Sequence, residues 1–107
     1  MGGRDAVSAM VGDLVTRILA DRRIKRHFRR TNRGDFEAGL VLHLCAATGG
    51  DCGEPPSAQD WPRLTDDQFD VLLDHFSAAV DAGGVAEPAR AEAILATGQL
   101  RPQFVRP

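Results

Sequence analysis

Residues 4–20 read Arg-Asp-Ala-Val-Ser-Ala-Met-Val-Gly-Asp-Leu-Val-Thr-Arg-Ile-Leu-Ala. The apolar positions Ala6, Val7, Met10, Val11, Leu14, Val15, Ile18 and Leu19 recur at spacings of one, three and four. That period places them on one broad face of an α-helix and excludes a strand, whose faces alternate with period two. Asp13 and Arg17 fall on the opposite side. A chain that begins this way needs other helices to cover the stripe.

Working outward, the next segment is Asp21-Arg22-Arg23-Ile24-Lys25-Arg26-His27-Phe28. Ile24 and Phe28 are one helical turn apart, which predicts a short charged helix pinned by two apolar contacts. Thr31-Asn32-Arg33-Gly34 is turn chemistry. A second long helix is predicted from Asp35 to Thr48, with Phe36, Leu40, His43, Leu44 and Ala47 as its stripe and Gly49-Gly50 as its stop. Three prolines and three glycines in residues 49–63 predict a loop there, with Trp61 as its apolar anchor to the core.

Thr65-Asp66-Asp67-Gln68 is a capping box with acidic residues in the first turn. The helix it opens carries Phe69, Leu72, Leu73, Phe76, Ala79 and Val80 on one face and stops at Gly83-Gly84. A last helix starts near Pro88 and carries Ala91, Ile94 and Leu95. Residues 101–107 hold two prolines and read as a frayed tail. The fold class is all-α, one domain over 1–107. At 107 residues, 43% hydrophobic and 26% charged, the chain has ordinary globular composition.

Two cysteines, Cys45 and Cys52, are too few for a disulfide framework. They read as free thiols in a reducing compartment, which with the lack of a leader or spanning segment points to the cytoplasm. Tyrosine is absent. Ser8, Ser57 and Ser77 have no triad partners in view, and the histidines and cysteines fit no zinc spacing. These observations point to a binding protein rather than an enzyme, with no catalytic residue and no metal ligand set.

At this point the residues resemble the group 1 truncated haemoglobins. Gly2-Gly3 with Asp5-Ala6-Val7 looks like that family's entry into its B helix, and Arg17-Ile18-Leu19-Ala20-Asp21 like the end of it. Leu44 through Gly49-Gly50 is similar to the close of the family's E helix. Leu64-Thr65, Phe69, His75, Ala79, Val80 and Gly84-Val85 resemble its G helix and exit. The resemblance implies a globin-like two-over-two helical sandwich. It also implies haem b as cofactor, with oxygen or nitric oxide as ligand. Phe28 matches a family phenylalanine against the haem, and Val15, Phe36, Leu40, Leu44 and Phe69 are the other implied lining residues.

The departures lie at the iron. The proximal histidine of the family is matched, counting back from Leu64, by Gln59. The distal tyrosine is matched by Val15 and the distal glutamine by Leu40. An amide oxygen is a poor ligand for haem iron, and Val15 and Leu40 offer no hydrogen bond to a bound diatomic. His43 falls where the family has an aromatic residue, and His75 where members carry a histidine that is not on iron. His27 reads as exposed. Two functions follow. One is a truncated-haemoglobin-like protein with a degenerate haem site. The other is a haem-free globin that binds a small apolar ligand, at about 25 cal/mol per Å² buried, or a protein partner.

Arg22, Arg23, Lys25, Arg26, Arg29, Arg30 and Arg33 put seven of the thirteen basic residues in twelve positions. Residues 1–33 hold nine basic and three acidic side chains, and residues 34–107 four basic and twelve acidic. The plain account is a solvated face at a helix C-terminus, partly paired with the acidic second half. The sharper account is an anion patch for haem propionates, nucleic acid, an acidic protein partner or lipid headgroups; the plain account ranks ahead of it because no aromatics interleave the run and the pI is near 5.8.

Overall fold

The computed structural model describes residues 4–47 and 61–105. Helix α1 spans Arg4–Leu19, and a 3-10 turn follows over Lys25–Phe28. Helices α2 (Arg33–Ala47), α3 (Asp66–Ala82), α4 (Ala89–Gly98) and α5 (Arg101–Phe104) complete the order. No strand occurs among the described residues. Helix α1 packs against both α2 and α3, α4 against α3 and α2, and α5 against α3.

The α1 stripe is buried as its period requires: Val7, Met10, Val11, Leu14, Val15 and Ile18 all enter the core. Leu19 does not, and at 39% exposure it sits at the open end of the helix. The charged segment after α1 is tighter than an α-helix, but Ile24 and Phe28 are its buried pins. Both helix ends of α3 follow from sequence. The Gln68 N–H donates to Thr65 Oγ1 at 3.2 Å and the Thr65 N–H to Gln68 Oε1 at 2.9 Å, which closes the capping box. At the other end Gly84 adopts φ +70, and the Val85 N–H reaches back to the Val80 carbonyl at 3.3 Å. Only glycine takes that left-handed conformation without strain.

Four expectations need correction. On α4 the core face is Ala93, Ala96 and Thr97, while Ala91 is exposed, Ile94 half-buried and Leu95 65% exposed, because the helix turns its small residues toward α3 and α2. Residues 101–105 are not frayed. Pro102 lies in the first turn of α5, where its missing N–H costs nothing, and Phe104 is 1% exposed. Arg101 ties the turn down by bridging Asp66 at 2.9 Å and Asp70 at 2.7 Å, with its guanidinium 4.7 Å from the centre of the Phe69 ring. His27 is half-buried, and Gln68 Nε2 donates to its Nε2 at 2.8 Å. Cys45 is disulfide-bonded rather than a free thiol. Cys52 lies outside the described residues. The cytoplasmic expectation therefore loses its thiol argument. No helix among the described residues is long and apolar enough to cross a membrane.

Candidate functional site: an aromatic seam and a basic corner

The described lining residues come together. Val15 from α1, Phe28 from the turn, Phe36, Leu40 and Leu44 from α2, and Phe69 from α3 all belong to one buried cluster. None is more than 5% exposed. Gln59 lies outside the described residues.

Two further aromatic rings, Trp61 and Phe104, pack against this cluster. Trp61 lies nearly parallel to Phe104, ring centres 4.9 Å apart. Phe36 meets Trp61 edge-on at 5.4 Å, Phe28 at 5.4 Å and Phe104 at 6.1 Å. Phe104 also contacts Phe69 at 5.5 Å. These separations are those of favourable aromatic pairs. The Leu64 N–H donates to the Phe104 carbonyl at 2.9 Å, so the segment after the loop and the end of the chain are stitched together across the seam.

Sequence reading found Trp61 as an anchor but missed Phe104. The available signal was an isolated large aromatic in the final segment, the first phenylalanine after Phe76. Among the described residues, hollows of about 220, 260 and 370 Å³ are lined by other side chains, such as Met10, Val41 and His75.

Each histidine is engaged. His27 is bonded to Gln68, His75 Nε2 donates to Asp21 Oδ2 at 2.7 Å, and half-buried His43 packs edge-on against Trp61 at 5.1 Å. No group of three His, Cys, Asp or Glu suited to a metal ion occurs among the described residues.

The second feature is the corner where α1 ends. Asp21 is its hub: it takes the Arg23 backbone N–H at 2.8 Å, the Arg23 guanidinium at 2.7 Å and His75 at 2.7 Å. The Arg23 side chain, then its backbone N–H, then His75 hold the Asp21 carboxyl well below the usual carboxylate range. Around this hub the seven basic side chains are all exposed, while Ile24 and Phe28 point inward. Arg33 is tied to Glu37 at 3.5 Å and to Thr16 Oγ1 at 3.0 Å. Arg22, Lys25, Arg26, Arg29 and Arg30 form no ion pair among the described residues. Pairing with the acidic second half is thus confined, within this run, to Arg33.

No family model matches the chain. It is similar to the group 1 truncated haemoglobin of Mycolicibacterium paratuberculosis, 28% identical over 108 residues that cover 97% of this chain and 79% of the relative. Its fold matches the truncated haemoglobin of Tetrahymena pyriformis in the Fe(III) form. The TM-score is 0.80 at 24% identity, covering 99% of this chain and 94% of that one. It also matches the two-over-two haemoglobin of Synechococcus sp. PCC 7002, solved in the cyanomet state with covalently attached haem. There the TM-score is 0.81 at 23% identity, covering 97% and 93%. The all-α, two-over-two architecture expected from the sequence is the one observed.

Proposed function

We propose that this chain, a globin of the truncated-haemoglobin kind by fold and by sequence, works without haem, as a binding module on a globin scaffold. The observation that carries this reading is the Trp61–Phe104 stack at 4.9 Å, set among the residues that the resemblance assigns to the haem. Two large aromatic rings there supply the buried apolar area that a macrocycle supplies in a haem-bearing globin. The substitutions at the iron agree: Gln59 stands for the axial imidazole, and Val15 and Leu40 leave no donor for a bound gas.

Sequence similarity to a haemoglobin over nearly the whole chain favours a second reading, in which haem is retained and ligated abnormally through the Gln59 region. The two separate in a haemin titration followed in the Soret band, with apomyoglobin as acceptor. The haem-free reading expects a broad band without a one-to-one endpoint, which apomyoglobin strips at once. A sharp, saturable band that resists apomyoglobin would contradict it. If haem is retained, Gln59→His alone tightens uptake. If the crevice is filled, that substitution alone does not.

A further inference from the structure

We infer that the corner formed by Arg22, Lys25, Arg26, Arg29 and Arg30 is a docking surface for a short acidic segment of a partner polypeptide. This does not depend on whether haem is bound. The first observation is a contrast among the basic residues. Arg17, Arg23, Arg33, Arg90 and Arg101 each have a carboxylate partner within 3.5 Å. Of the described basic side chains without one, all but Arg63 lie in the nine positions from Arg22 to Arg30. The fold matches charges elsewhere and leaves them unmatched here.

The second observation is that the corner is held rigid from inside. Ile24 and Phe28 are buried, Asp21 is locked by Arg23 and His75, and Gln68 holds His27. The cations therefore project from a fixed frame, so less ordering entropy is lost when a partner binds. Four of the five are arginines, whose planar forks pair with carboxylates in two-point fashion.

Two features favour a short acidic peptide over an extended polyanion. The corner is flanked by negative charge: Asp74 on α3 is close enough to act on Arg23. A nucleic-acid duplex or an anionic bilayer would extend over that acidic flank, whereas a short segment need not. There is also a place for an apolar residue. Leu19 is 39% exposed three positions before Arg22, and a shallow hollow of about 370 Å³ at the end of α1 is lined by Arg17, Ala20, Asp21, Arg22 and His75. The recognition element that fits is a run of Glu or Asp broken by a leucine-sized side chain. Exposed aromatics, which would stack nucleobases, are missing from the corner, since Phe28 is buried.

The test uses a fluorescein-labelled peptide of repeated Glu-Glu-Leu, a DNA duplex and phosphatidylserine vesicles as probes, read by anisotropy or co-sedimentation. The peptide is expected to bind most tightly, weakening on the order of tenfold between low and physiological ionic strength. Arg26→Glu is expected to weaken it several-fold, and the triple variant R26E/R29E/R30E by about tenfold or more. Arg63→Glu makes the same charge change away from the corner and is expected to leave binding within about twofold. Unchanged thermal unfolding would show that the triple variant is folded, as expected for three exposed side chains without partners. The inference is overturned if the peptide does not bind, if Arg63→Glu weakens binding as much as Arg26→Glu, or if the duplex or the vesicles bind more tightly than the peptide.

Discussion

The aromatic seam and the charged corner are both fastened to α3, and they are held by opposite physics. The seam is dry: Phe36, Trp61, Phe69 and Phe104 meet ring to ring, and the Leu64–Phe104 hydrogen bond stitches it. The corner is wet, and its fixed point is one carboxylate taking hydrogen bonds from two partners. The seam sets how much stability the chain has and what can enter its middle. The corner sets what the outside can meet.

That contrast orders the mutational effects. Trp61→Ala or Phe104→Ala removes a buried aromatic and is expected to cost about 3–5 kcal/mol, seen as a large drop in the thermal midpoint. The corner gives the next largest effect. Asp21→Ala is expected to cost about 1–2 kcal/mol, because His75 and Arg23 lose an ionised acceptor. The sign of its pH dependence follows from the direction of the shift. A carboxyl whose folded pKa is lowered contributes stability above its unfolded value of 3.8, and loses it as pH falls through the folded value. Unfolding midpoints of the wild type should therefore fall below about pH 4 more steeply than those of Asp21→Asn. An equal slope in the two would show that Asp21 is not the corner's fixed point.

The two ends of α3 give the smallest effects. Thr65→Ala breaks the capping box for about 1 kcal/mol. Gly84→Ala puts a side chain at φ +70 in open space, so its cost is conformational only, about 1 kcal/mol, in denaturant titrations. A loss much larger than this at Gly84 would mean that the helix exit carries packing as well as a turn.

What was legible in the sequence was local. The α1 stripe, the Thr65–Gln68 capping box, the stop at Gly83-Gly84 and the pins Ile24 and Phe28 each depend on neighbours within a turn or two, and all four stand as read. What was not legible was closure over long sequence separation. Phe104 is 43 positions from Trp61, and the prolines around it read as helix breakers when one of them opens α5. Arg101 shows the same limit, since its partners Asp66 and Asp70 lie on another helix. His27 read as exposed because its run is charged, while the Gln68 amide that covers it comes from α3. The six lining residues were read from resemblance and do cluster. Resemblance carried no information about Trp61 and Phe104, the two rings that pack against them.

Trp61 is the chain's one tryptophan and lies in the middle of the seam, so its fluorescence reports on the crevice directly. The decisive measurement is Trp61 emission during a haemin titration, with acrylamide quenching measured beforehand. A filled crevice predicts blue-shifted emission, protection from acrylamide, and weak quenching by haemin that does not saturate. Stoichiometric quenching that saturates at one haem per chain would contradict the account and return the protein to the haem-bearing globins.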